Sequence, residues 1–89
     1  MSGSQDDQFK QSLKELILEE TGKDELSPEQ IADDEALFGP DTSLELDSLD
    51  GLQVSVALKQ QFGVELNDSK RLRRVMANIN TLADFLRPD

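Results

Sequence analysis

Apolar positions near the start of the chain recur at helical spacing. Phe9, Leu13, Leu16 and Ile17 share one face of a 3.6-residue turn, and Glu20 continues the row in polar form. Such a stripe predicts an amphipathic helix. Asp6 and Asp7 suit the positive end of its dipole and Gly22 suits its termination, which places the helix over about residues 5–21. Between residues 22 and 46 the period is lost. Gly22, Pro28, Gly39 and Pro40 interrupt the stretch, and Ser27-Pro28-Glu29-Gln30 has the pattern of a capping box, enough for a single turn. A connection this long in a small domain needs anchors. Leu26, Ile31, Leu37 and Phe38 are spaced along it to supply them.

Periodicity returns after Leu46. Asp47 or Ser48 can cap a second helix running to about Phe62, where Gly63 ends it. A short extended piece, Val64-Glu65-Leu66, leads to a third helix capped by Asn67 or Asp68, with Leu72, Val75, Met76 and Ile79 at helical spacing. Thr81-Leu82-Ala83-Asp84 reads as another capping box, opening a last short helix that carries Leu82, Phe85 and Leu86 and stops at Pro88. Strand signals and repeats are absent. The expected fold is all-α: a four-helix bundle with a long loop between helices 1 and 2 and a short or irregular helix 3. Residues 1–4 are expected to be a flexible N-terminus and residues 5–87 a single domain.

The second helix has two apolar faces rather than one. Val54, Leu58 and Phe62 form one stripe; Leu49, Leu52 and Val56 form another, nearly opposite. A bundle helix needs one stripe to hold it down. The second set, flanked by Gln53 and Gln60, is the better candidate for exposure, and a contiguous exposed apolar strip marks a contact surface. The competing expectation is that the long loop folds over it.

Composition narrows the chemistry. The 89 residues contain no Cys and no His, which removes thiol chemistry, the usual general base and the commonest metal ligand. Four Phe with no Trp or Tyr leave little to stack on bases or sugars. No apolar run approaches the roughly 20 residues that cross a bilayer, and the polar, acidic start is unlike a signal peptide; a cytoplasmic monomer without membrane insertion is expected. The net charge of −10 is uneven: residues 1–50 hold 15 acids and 3 bases, residues 51–89 hold 4 acids and 6 bases. An acidic first half disfavours nucleic acid and favours partners with basic patches, unless it is only a solvated surface. A calcium loop over 41–52 fails, because Leu46 stands where the turn requires Gly and the last ligand is missing. An autonomous enzyme is the poorest fit, since carboxylates and lysines lack an enclosed pocket in which to be perturbed.

One serine attracts attention. In Leu46-Asp47-Ser48-Leu49-Asp50, Ser48 sits between two acids at the start of the second helix. As a nucleophile it has no base nearby. It reads either as a helix cap, worth about 1 kcal/mol, or as a substrate modified by another enzyme. A phosphate ester at a helix N-terminus meets free N–H groups and a favourable dipole, and the flanking acids can meet a partner's Arg residues or metal ion.

The run Leu46-Asp47-Ser48-Leu49-Asp50, with the helix ending Gln61-Phe62-Gly63-Val64 and the approach Asp33-Asp34-Glu35-Ala36-Leu37-Phe38-Gly39, resembles the acyl carrier proteins, whose signature is Asp-Ser-Leu at the start of the second helix. The resemblance covers Phe9 to Leu86. It implies that Ser48 carries 4′-phosphopantetheine, attached by a phosphopantetheinyl transferase from coenzyme A, and that the arm's thiol holds acyl groups as thioesters. It implies further that acyl-transferring, condensing or ligating enzymes dock on Asp47, Leu49, Asp50, Leu52, Gln53 and Val56. By the same resemblance a tethered chain slips between the helices near Val54, Leu58, Ile79 and Leu82. Fatty-acid, polyketide or related lipid biosynthesis is the implied setting. A peptidyl or aminoacyl carrier, and a small acidic adaptor that binds through helix 2 without modification, are the alternatives.

The chain departs from many fatty-acid-synthesis carriers in its charges. Gln53, Lys59 and Gln60 stand where glutamates are expected, and Lys70, Arg71, Arg73 and Arg74 make a basic third helix. Rim charges set encounter rate and partner choice, which points to a specialised member unless the run merely pairs with nearby acids. Gly51, in the first turn of helix 2, costs up to about 1 kcal/mol against Ala. It either gives clearance to the arm or a partner, or is neutral.

Overall fold

A computed structural model describes residues 2–23, 25–66 and 68–88 of the chain. Among the described residues four α-helices carry the fold: α1 (Asp7–Thr21), α2 (Ser48–Phe62), α3 (Ser69–Val75) and α4 (Ile79–Leu86), with two short 3-10 turns, Gly3–Gln5 and Pro28–Gln30. Helix α1 packs on α2 and α4, and α3 bridges α2 and α4. No described helix is long and apolar enough to cross a membrane.

Each helix begins where a short polar side chain accepts an otherwise orphaned N–H. Asp6 accepts from Phe9 N–H at the head of α1, Asp47 from Asp50 N–H at α2, and Asp68 from Lys70 N–H at α3. The alternative cap, Asn67, lies outside the described residues. Helices α1 and α2 end on Gly22 and Gly63, both left-handed (φ 69° and 73°), a conformation in which glycine avoids the Cβ clash.

The division between α3 and α4 differs from the expectation. Ile79 opens α4 instead of closing α3, and Thr81 is not the cap. Met76 leaves helical geometry (φ −99°, ψ 31°), and Asn78, fully extended, accepts the Thr81 N–H at 2.8 Å. That acceptor reaches its donor only from an extended backbone, so the chain must break there. Asp84, expected as the other half of a capping box, accepts the Ser4 N–H at 2.9 Å instead. Packing at the N-terminus also starts earlier than residue 5. Gly3 is buried against α4, its N–H bonded to the Arg87 carbonyl at 2.8 Å, and a Cβ there would collide with the Ala83 carbonyl oxygen.

The core gathers the α1 stripe (Phe9, Leu13, Leu16, Ile17), Val54 and Leu58 of α2, Leu72 and Met76 of the α3 segment, and Ile79 and Leu82 of α4. The long loop is pinned into it by Ile31 and Leu37, with Leu26 and Phe38 half-buried. Leu44 and Leu46, two anchors the loss of period concealed, are buried as well. A parallel bridge, Phe38 to Leu46, ties the loop back on itself immediately before α2.

A polar anchor holds the other end of the loop. Lys10, almost completely buried, donates to Asp33 Oδ2 at 2.8 Å, and Lys14 Nζ lies 2.7 Å from Oδ1, an ionic contact off the hydrogen-bond direction. The Asp33 carbonyl also accepts the Asn80 N–H at 3.0 Å. One loop residue is thereby fastened to both α1 and α4. The Lys10 bond, and then the Lys14 contact, hold the Asp33 carboxyl below its ordinary value, and the Asp33 bond raises Lys10.

Candidate functional site

The start of α2 is built by a reciprocal pair of acids. Asp47 Oδ1 accepts the Asp50 N–H at 2.9 Å and Asp50 Oδ2 accepts the Asp47 N–H at 3.3 Å. Asp47 therefore takes the capping role and Ser48 becomes the first helical residue. Freed of the cap, the Ser48 side chain is exposed. The N–H groups of Ser48 and Leu49 point out of the helix end with no intrahelical acceptor.

A cation from α3 meets the hydroxyl. Arg73 Nη2 donates to Ser48 Oγ at 2.8 Å. Its guanidinium carbon also lies 5.3 Å from the centre of the Phe38 ring, within cation–π range. Phe38 in turn lies against Gly51, where an added Cβ would come within 3.0 Å of two ring carbons and 3.3 Å of Leu72 Cδ2. Gly51 thus gives clearance to a side chain of the protein's own loop, not to an arm or a partner. Sequence reasoning singled out the basic run and left its role open. Nothing in the spacing of Lys70, Arg71, Arg73 and Arg74 reveals which one reaches Ser48, because that depends on a loop residue placing a ring between them. Among the described residues, none of the four forms an ion pair within 4.0 Å. The expectation that the run pairs with nearby acids is not met there.

The two apolar faces of α2 separate as the spacing predicts. Val54 and Leu58 are fully buried, while Leu49, Leu52 and Val56 are 64%, 56% and 52% exposed. The long loop does not cover them. Phe62, grouped with the buried stripe, is exposed at the helix end, where it forms a T-shaped pair with Phe9 at 5.9 Å between centroids. Gln53 and Asp47 are exposed beside the strip and Asp50 is half-exposed. Ser48, Leu49, Leu52 and Val56 therefore run along one open side of the molecule from the helix tip.

The residues expected near a tethered chain come together elsewhere. Val54, Leu58, Ile79 and Leu82 all have no measurable exposure and interlock in the core between α2 and α4. An open groove of about 490 Å³ lies nearer Ser48, on the loop side, walled by Phe38, Gly39, Pro40, Leu46 and Arg73 among others.

Comparison with curated proteins and with solved structures gives no significant match. A family model described as the phosphopantetheine attachment site matches residues 11–87, from within α1 through α4. With that match spanning most of its length, the chain belongs to the phosphopantetheine-attachment family, whose members are carriers holding covalently bound 4′-phosphopantetheine.

Proposed function

We propose that Ser48 is the attachment point of the 4′-phosphopantetheine arm, and that the protein presents acyl intermediates of the fatty-acid, polyketide or related lipid type to successive enzymes. The observation that carries this reading is the exposed Ser48 hydroxyl at the tip of α2, relieved of capping by Asp47 and next to an apolar strip left open to water. The residues fit the group: free N–H groups at the helix end and the Arg73 guanidinium accommodate a phosphate. The arm supplies the thiol on which acyl groups are held as thioesters, a sulfur the chain itself lacks.

The protein's own residues then do the presenting. Leu49, Leu52 and Val56 form the apolar centre of a docking face, Asp47 and Asp50 guide its approach, and Gln53 lies on its rim. Each of the three exposed side chains forgoes roughly 1.5–3 kcal/mol of burial, a cost a partner's surface recovers on docking. Gln53, Lys59 and Gln60, with the basic α3, give this rim a mixed charge, which supports a specialised partner set, since rim charges govern partner choice. An acyl chain drawn into the bundle would enter between α2 and α4, where Val54, Leu58, Ile79 and Leu82 converge.

Intact mass after incubation with a phosphopantetheinyl transferase and coenzyme A tests the assignment. The expected result is one added phosphopantetheine on the wild-type protein and none on Ser48→Ala. An addition that survives Ser48→Ala would move the attachment point elsewhere.

A further inference from the structure

We propose that Arg73 is the counter-ion of the phosphodiester formed at Ser48, and that it turns the arm toward the loop side of α2, away from the docking strip. The inference rests on the assignment of Ser48 as the attachment point. Three observations carry it beyond that assignment.

The first is position. Arg73 Nη2 is already 2.8 Å from the Ser48 Oγ, the atom to which a phosphorus would be bonded. Phosphate oxygens one bond further out fall within the reach of a guanidinium that carries five donors in a planar fork. The second is charge. Asp47 caps α2, Asp50 lies in its first turn and Glu45 precedes it; a further negative phosphodiester placed among them is repelled unless a cation compensates. Arg73 makes no ion pair within 4.0 Å among the described residues, so its charge is available.

The third is support. Arg73 rests on the Phe38 ring, and Phe38 is seated against α2 because residue 51 has no side chain. Gly51, Phe38, Arg73 and Ser48 form one contiguous stack. A guanidinium held on a ring loses less rotamer freedom on binding an anion than a free arginine does. The groove walled by Phe38, Gly39, Pro40 and Leu46 opens from this stack. An arm whose phosphate is held by Arg73 therefore leaves Ser48 over that groove, on the α3 side, and Leu49, Leu52 and Val56 stay clear for a partner.

The test uses the holo protein, prepared with transferase and coenzyme A and verified by intact mass. The phosphorus resonance of the arm, the Arg73 side-chain Nε–H resonance and contacts between the arm's methyl protons and the Phe38 ring are read by NMR. In the wild-type protein the Arg73 resonance is expected to move on conversion from apo to holo, with methyl-to-Phe38 contacts present. In Arg73→Ala the phosphorus resonance is expected to shift and the Phe38 contacts to vanish; Arg73→Lys, which keeps the charge but not the fork, should recover them in part. A circular dichroism melt like that of the wild type shows that each variant is folded. Holo protein whose phosphorus resonance and Phe38 contacts are the same in wild type and Arg73→Ala overturns the clamp and leaves the attachment point standing. Failure to add any mass, or mass addition that survives Ser48→Ala, overturns both.

Discussion

At Gly51 the absence of one methyl group arranges three neighbours. The glycine sits in the first turn of a helix, where Ala is favoured by up to about 1 kcal/mol, yet a Cβ there would press on the Phe38 ring at 3.0 Å. Contacts that short force the ring to shift, and overpacking costs typically 1–3 kcal/mol. The steric loss exceeds the propensity gain. Gly51→Ala is expected to be less stable by about 1 kcal/mol, which for a domain of this size lowers Tm by roughly 4–8 °C. The Phe38 ring resonances should move with it. A variant that melts higher than the wild type, with Phe38 undisturbed, would refute the packing argument.

At the scale of one element, α2 must satisfy two demands with 15 residues. Its buried face holds it to the bundle and its open face is left to water. Spacing alone separated the two, because a helix of regular pitch puts Val54 and Leu58 on one side and Leu49, Leu52 and Val56 on the other whatever surrounds it. Leu58→Ala should therefore cost about 2–5 kcal/mol, as deletion in a packed core does. Leu52→Ala should stay within about 0.5 kcal/mol, as surface changes do. Urea denaturation of the two variants makes the comparison. Equal losses would mean that the strip is covered in solution and is not a docking face. The helix ends were less legible than the faces. The gap between α3 and α4 depends on Asn78 choosing an extended backbone so that its side chain meets Thr81, and Ile79 keeps the same spacing to Met76 and Val75 with or without the break. The Arg73 contact with Ser48 was hidden for another reason: it joins residues 25 positions apart through a ring from a third segment.

Across the whole molecule the uneven charge is managed at Asp33. The acidic first half has only three bases, Lys10, Lys14 and Lys23, and two of them are committed to this one carboxylate. The long loop, whose described residues hold no helix beyond one 3-10 turn, gains from this a fixed end opposite the Phe38–Leu46 bridge. Asp33 carries about a third of its side chain in solvent, whereas Lys10 is nearly enclosed, with Asp7 3.6 Å away and Asn80 Oδ1 at 3.4 Å. Asp33→Asn strands that lysine beside weaker partners. Its cost should lie between that of an exposed and of a buried pair, at about 1–2 kcal/mol after allowing for solvent screening.

The pH dependence has a definite sign. Asp33 is held below the ordinary carboxylate value of 3.8, chiefly by its bond to Lys10 and then by Lys14. A depressed carboxyl contributes stability that is present above its unfolded value and lost as pH falls through the lower folded one. Lys10 is raised above 10.5, chiefly by the same bond, so its share is complete below the unfolded value and lost as pH rises through the higher folded one. Meanwhile, the loss of negative charge as pH falls relieves the self-repulsion of a chain with a net charge of −10, which favours the folded state. Two opposing effects therefore overlap in acid, and Asp33→Asn separates them because it removes only the first. The difference in unfolding free energy between wild type and Asp33→Asn, from urea titrations, should hold level from about pH 5 to 9 and close below pH 3.8 as Asp33 takes up its proton. A difference that stays constant to the lowest pH at which the protein folds would show that the two lysines do not depend on this carboxylate, and that the loop is fastened by Ile31 and Leu37 alone.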